Sequence, residues 1–233
     1  MVVHQRTALT LAALLIAGAC SDGTAPSPRG EGPRFLAWEG GVTPHFTASG
    51  ALAGTADALD GIAVEGPSFQ MVGSVSLSLT TNKVSFWSVR GKERRVQIDY
   101  QGANGAPAQP FLQLTTYEPE YVPGRGYLAW GDSVLVTITV DPTNIAVQLE
   151  PHGLRFDDDD RSKLRLYYGG AGGDLNGDGL VDETDRYIES QLLGMWYQAG
   201  PDSPWSPMSV YKSLSEKSLT AYLEHFSGYA VSW

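Results

Sequence analysis

Cysteine is almost missing from this chain: Cys20 is the only one in 233 residues. A lone thiol closes no internal disulfide, so the fold must rest on its core, and no CxxC pair or Cys-His zinc set can be assembled. Histidine is nearly as scarce. Beyond the N-terminal stretch there are His45, His152 and His225, with no two at metal-ligand spacing. Basic charge is short too, with 16 Lys and Arg against 26 Asp and Glu and a net charge of −10. That balance argues against nucleic acid or anionic lipid as a partner and suits the binding of cations. There is no GxSxG elbow and no phosphate-cradling glycine loop. The expectation is therefore a chain without enzyme activity, although acid pairs of glycosidase type depend on separations that only a fold defines. What is present, 42% hydrophobic and 10% aromatic residues, is enough to build a core.

No apolar run reaches the about 20 residues that a membrane-spanning helix needs. The longest useful one, Ala8–Ala19 (ALTLAALLIAGA), follows a short polar start carrying Arg6 and no acid. It fits the apolar core of an export signal. It ends in Ala17-Gly18-Ala19-Cys20, and Ser21-Asp22-Gly23 stops the apolar character at once. Small residues before a cysteine resemble the lipobox of bacterial lipoproteins, with Ala17 where Leu is commoner. The resemblance implies cleavage after residue 19, acylation of Cys20 and, with Ser21 next, an outer-membrane or cell-surface address. The alternative is an ordinary secretory signal with Cys20 incidental. Loss of residues 1–19 would remove Arg6 and no acid, leaving 15 basic residues against 26 acidic ones, a net −11.

Residues 20–34 are rich in Pro, Gly and Ser and read as a flexible tether. Residues 35–78, mixing Gly and Ala with a few large apolar groups, read as a weakly ordered lead-in. From 79 to 233 the pattern predicts an all-β domain, an antiparallel sandwich. VSFWSVR (84–90) and RRVQIDY (94–100) flank Gly91-Lys92-Glu93 as a hairpin, with Val84, Phe86 and Ser88 on one face and Trp87 and Val89 on the other. FLQLTTY, SVLVTITV, IAVQLE, KLRLYY, GMWYQ, SLTAYLEH and GYAVSW continue the series, rich in β-branched and aromatic residues. Only Asp185–Leu193 reads as helix.

The strongest chemical motif is the twelve-residue run Asp174–Asp185 (DLNGDGLVDETD). Calcium takes six to eight oxygen ligands, and a loop of this length wraps them around one point. Asp174, Asn176 and Asp178 stand at positions 1, 3 and 5, and Gly179 at the sharp turn. The carbonyl of Leu180 follows at position 7, then Asp182 at 9 and Asp185 at 12. Apolar Val181, at position 8, is expected to pin the loop to a core. Asp174, Asp178, Asp182, Glu183 and Asp185 crowd together with no base among them, which argues for a cation; an acidic surface loop is the plainer alternative. Position 12 is Asp where calcium sensors carry Glu, and no helix enters the loop. Loop plus exiting helix, with Tyr187, Ile188 and Leu192 on one face, resemble half of an EF-hand-like dockerin module. Dockerins have two such loops and this chain has one, so the loop reads as a structural insert. The run Asp157–Asp160 reads as a solvated turn.

The ending Leu223-Glu224-His225-Phe226-Ser227-Gly228-Tyr229-Ala230-Val231, with Gly153–Phe156, KLRLYY and the Trp196 and Trp205 segments, resembles the closing half of the ZU-five β-sandwich of ankyrins and netrin receptors. The resemblance spans roughly Ser133–Trp233. Some relatives cut themselves between Phe and Ser of this tripeptide. Carried over, Ser227 would attack the Phe226 carbonyl with His225 as base; the alternative is that His225 and Phe226 pack and Ser227 caps a turn. A third possibility comes from six tryptophans, Trp38, Trp87, Trp130, Trp196, Trp205 and Trp233, which would stack on sugars if exposed in a row and would otherwise fill a core. The reading as a whole is a membrane-anchored β-sandwich with one structural calcium, serving interaction or scaffolding with a protein or glycan partner.

Overall fold

The computed structural model describes residues 32–41, 45–52, 62–63, 75–77, 82–102, 107–157, 159 and 161–233. In chain order, β1 (His45–Leu52), β2 (Ile62–Ala63) and β3 (Val75–Leu77) precede β4 (Lys83–Val89) and β5 (Arg94–Gln101). Then come β6 (Gln109–Thr116), β7 (Pro119–Val122), β8 (Gly126–Tyr127) and β9 (Ser133–Val140). β10 (Ala146–Glu150), β11 (Arg155–Phe156) and β12 (Ser162–Tyr167) lead to a short helix, α1 (Glu183–Tyr187). The chain closes with β13 (Gly194–Gln198), β14 (Trp205–Met208), β15 (Tyr211–Ser213), β16 (Ser218–Leu223) and β17 (Gly228–Ser232). Every segment read as strand from the sequence is one, to within two residues at its ends.

Among the described residues the strands form two seven-stranded antiparallel sheets, β15-β16-β12-β6-β5-β1-β3 and β14-β13-β17-β10-β9-β4-β2, and a small β11-β7-β8 sheet. The fold is an all-β sandwich. Alternation along each strand explains it, because every second residue faces the same side. Val84 and Phe86 of β4 and Val134, Val136, Ile138 and Val140 of β9 turn inward from one sheet. Val96 and Ile98 of β5, Leu112 and Leu114 of β6 and Leu164 and Leu166 of β12 turn inward from the other. Each such side chain contributes about 1.5–3 kcal/mol by leaving water.

The expected hairpin across Gly91 does not form. β4 pairs with β9, Trp87 opposite Leu135, while β5 pairs with β1 and β6. The turn at residues 90–93 is a corner that carries the chain from one sheet to the other. Gly91 adopts φ +84°, and the Trp130 ring lies so close that a Cβ there would sit 2.6 Å from it. Sequence alternation is the same for a hairpin and for a corner between facing sheets, so the pattern alone does not separate them.

Residues before 79 also take part in the described fold. Arg34, read as the end of the tether, and residues 35–38, read as part of the lead-in, run as a strap between β17 and the β9–β10 turn. Leu36 N–H donates to Val231 O (2.9 Å), Ile145 N–H to Leu36 O (2.7 Å) and Trp38 N–H to Thr143 O (3.2 Å). Leu36 and Trp38 are buried in the core, and β1 pairs along its whole length with β5. The Trp38 ring meets Phe46, Tyr100 and Phe111 at centroid distances of 5.5, 5.2 and 5.0 Å, and its Nε1 donates to Asp141 O at 3.1 Å. It also packs flat on Gly170, where a Cβ would fall 2.5 Å from the ring. Residues 42–44, 53–61, 64–74 and 78 of the lead-in lie outside the described residues, as do the signal segment, Cys20 and the tether up to residue 31. Replacing Trp38 by Ala is expected to cost about 3–5 kcal/mol of stability, read from denaturant unfolding. An unchanged midpoint would show that the strap is peripheral.

Candidate metal centre and the His-Phe-Ser segment

β12 delivers the chain into a 3-10 turn, Gly169–Ala171, and then into the 174–185 loop. Gly172 has φ +71°, a left-handed conformation that favours glycine, and the Glu39 side chain lies against it. Leu175 is the buried anchor of the loop, and its carbonyl accepts the Trp233 indole N–H at 3.2 Å. The expected anchor, Val181, is instead 68% exposed and rests against Gly173. The Leu175 carbonyl bond to Trp233 is a long-range tie that holds this part of the loop against the core.

Within the loop, carboxylates gather backbone amides. Asp174 Oδ1 accepts from Gly177 N (2.8 Å) and Asp178 N (3.2 Å), and its Oδ2 accepts from Gly179 N (2.8 Å). Asn176 Oδ1 accepts from Asp178 N (3.0 Å) and Asp178 Oδ1 from Leu180 N (2.9 Å). Gly177 and Gly179 supply the left-handed turns, at φ +75° and +86°. Asp182 caps α1 by accepting from Thr184 N (2.7 Å). Asp185, only 3% exposed, closes the loop: its Oδ1 accepts from Leu175 N (2.7 Å) and Asn176 N (3.3 Å), its Oδ2 from Asp182 N (2.9 Å). Position 12 of the motif is thus a clamp between the first and last turns.

The donor set is all oxygen and hard, which fits calcium in kind. In arrangement, however, no three His, Cys, Asp or Glu side chains among the described residues converge as a metal-binding group. Asp174 and Asp178 face loop amides and Asp182 faces its helix. A cleft of about 410 Å3 lies between the strap and the loop, with Glu39, Asp174 and Asn176 on its walls.

The exiting helix begins at Glu183, two residues before the sequence suggested, because Asp182 caps it. It widens into a π-type turn, Ile188–Leu192, closed by Leu193 N–H to Ile188 O (2.7 Å). That widening rotates the buried face, so Ile188 and Leu193 are buried while Tyr187 and Leu192 are exposed. The turn also builds a polar cluster that the sequence did not announce. Glu189 Oε1 lies 3.3 Å from Lys217 Nζ, and Lys212 Nζ donates to Glu189 O at 2.9 Å. Burial, and then the Glu189 charge, push the Tyr168 phenol well up, whereas burial draws the Lys212 ammonium down.

The tripeptide His225-Phe226-Ser227 lies between β16 and β17. Phe226 is buried edge-on against Phe156, centroids 5.0 Å apart at 64°. Its carbonyl accepts from Gly153 N at 2.8 Å. The Ser227 hydroxyl donates to the Gln198 carbonyl, and Nδ1 of His225 is buried without a hydrogen-bond partner. His225 is flanked by His152 and Tyr197, each ring 6.3 Å away. Spacing along the chain hides this histidine pair, since 73 residues separate its members. Of the tryptophans, Trp38 is core, Trp196, Trp205 and Trp233 are half-buried, and Trp87 and Trp130 are exposed. Asp157 and Asp159 form a turn, with Asp159 N donating to Asp157 Oδ1 at 3.2 Å.

Comparison of the chain with protein-family models, curated proteins and solved structures found no match.

The three loop amides set the acid behaviour of the clamp. The Asp182 amide first, then those of Leu175 and Asn176, hold the Asp185 carboxyl below its usual value against the opposing effect of burial. A carboxyl depressed on folding adds stability above its unfolded pKa of about 3.9 and loses it as pH falls through the folded value. Asp185→Asn is expected to melt earlier than the parent at pH 7, with the gap closing below about pH 4. Melting curves across pH test this, and a gap that persists in acid would show that the charge is not what closes the loop.

Proposed function

We propose that this chain is a lipid-anchored module of the cell envelope, a β-sandwich with one structural calcium site, that acts in protein interaction or scaffolding. Asp174, Asn176, Asp178, Asp182 and Asp185, with the Leu180 carbonyl, would hold the ion. Bound there, calcium supplies positive charge to a run of carboxylates and a crosslink between the two turns of the loop. The observation that carries the reading is the clamp: Asp185 accepts amides from the loop's first turn and from Asp182, which draws the two ends of the loop together. The loop is in turn fastened to the C-terminal residue through Leu175. An ion that rigidifies the loop therefore rigidifies the junction of the strap, β17 and α1.

The anchor and address rest on Ala17-Gly18-Ala19-Cys20 and the Pro- and Gly-rich tether. For the interaction role, the support is an outward cross-strand pair, Trp87 and Leu135, 46% and 43% exposed. An exposed apolar pair on a sheet face offers a partner a small area to cover.

Thermal unfolding in millimolar calcium, in magnesium and in chelator tests the site. At a hundred times the dissociation constant, calcium adds about 2.7 kcal/mol. The expected result is a calcium-specific rise in melting temperature, absent from an Asp174→Ala, Asp178→Ala variant. Equal melting in all three conditions would reduce the loop to an acidic surface turn.

Self-cleavage between Phe226 and Ser227 is the second reading. The Gly153 amide on the Phe226 carbonyl would favour attack there, whereas the Ser227 hydroxyl is committed to Gln198 and not to His225. Denaturing mass spectrometry is expected to return one uncut chain at this bond. A separate Ser227–Trp233 peptide would establish cleavage and displace the scaffold reading.

A further inference from the structure

On the outer face of the β14-β13-β17-β10-β9-β4-β2 sheet there is a cleft of about 350 Å3 whose two walls differ in chemistry. One wall is aromatic. Phe35, from the strap, and Trp205, from β14, stand edge to face with centroids 5.0 Å apart at 68°. The other wall carries Thr139, Asp141, Asn144 and Gln148. Asp141 Oδ1 accepts from Thr143 N (2.7 Å) and Asn144 N (2.9 Å), which holds this turn in one shape. The side chains of Thr139, Asn144 and Gln148 make no hydrogen bond to another described residue.

Strand register places residues of both walls on one row of the sheet. Trp205 pairs with Gln198, Gln198 with Gly228, Gly228 with Gln148 and Gln148 with Thr139, so these residues form one row across the sheet. Gly228, in the middle, contributes no side chain. A Cβ there would fall 2.6 Å from Gln148 Nε2, so glycine lets that amide lie across the row. Four strand spacings separate the ends, about 19 Å.

These features select a ligand class. Aromatic faces accept the C–H faces of sugar rings, and amide and hydroxyl groups, each able both to donate and to accept, match ligands whose hydroxyls do the same. The one carboxylate, on a chain of net charge −10, disfavours anions. β9 and β10, which carry the polar wall, are paired on both sides and offer no open edge to a peptide there. We propose that this cleft binds a neutral oligosaccharide, its rings stacked on Phe35 and Trp205 and its hydroxyls held by Gln148, Asn144 and Asp141. The cleft shares no residue with the 174–185 loop, and the proposal stands or falls apart from calcium.

The test is calorimetric titration of the full chain in detergent with short neutral oligomers of glucose, galactose and N-acetylglucosamine, and with a proline-rich peptide in parallel. One of the sugars is expected to saturate. Trp205→Ala should then weaken it by about tenfold or more, a loss on the order of 1.4 kcal/mol. Gln148→Ala should weaken it measurably, while Trp87→Ala and Trp130→Ala, outside the cleft, bind as the parent does. Should Trp205→Ala melt early, the exposed Gln148 variant carries the test alone. The proposal is overturned if no sugar saturates or if only the peptide binds. Binding unchanged in the cleft variants, or lost only in the Trp87 or Trp130 variant, would equally sink it.

Discussion

The burial of Leu36 and Trp38 beneath the hydrogen-bonded strap of residues 34–38 is the constraint on which the rest of the structure leans. The strap bonds to β17 on one side and to the β9–β10 turn on the other, so it joins the two ends of the described fold. Its tryptophan reaches the opposite sheet, where Phe46, Tyr100 and Phe111 enclose it. A ring that large fits only because Gly170 leaves room beneath it. The strap's backbone bonds and its buried rings support each other: without the ladder the rings have no fixed depth, and without the rings the ladder is a bare edge.

The loop inherits its position from the same junction. Glu39, just past the strap, overlies Gly172, and the indole of Trp233 holds the Leu175 carbonyl. Loop, strap and C-terminus therefore meet at one end of the sandwich. A structural cation there would act on the part of the fold where the strap, the loop and the end of β17 are tied together. The aromatic cleft draws on the strap as well, since Phe35 is its first bridging residue, opposite Ser232.

Legibility in the sequence followed the range of the interaction responsible. Strands such as Ser133–Val140 were readable because alternation is local and period two survives any topology. The loop's turns were readable because Gly177, Gly179 and the Asx-type acceptors act within a few residues. Which apolar residue anchors the loop was not, because Val181 and Leu175 are both apolar and their burial is decided by packing against distant residues. Nor was the role of Trp38 legible: a short run between Gly- and Pro-rich stretches has too little pattern to show that it completes a core. The widened turn at 188–192, which moves Tyr187 and Leu192 to the surface, likewise left no periodic trace.

By itself the sequence determined the all-β class, the strand segments, the acidic character, and a loop whose acids and glycines fall at calcium-binding spacing. These follow from residue type and near spacing, which act before the chain is folded. Tertiary structure alone decided that β4 and β5 belong to different sheets and that the strap is core. It also decided that the Ser227 hydroxyl points to Gln198, and that Phe35, Trp205 and Gln148 share one cleft. Those are contacts between residues far apart in the chain, and the physical reason they are not legible locally is that each is selected by packing against a partner that exists only once both sheets have formed.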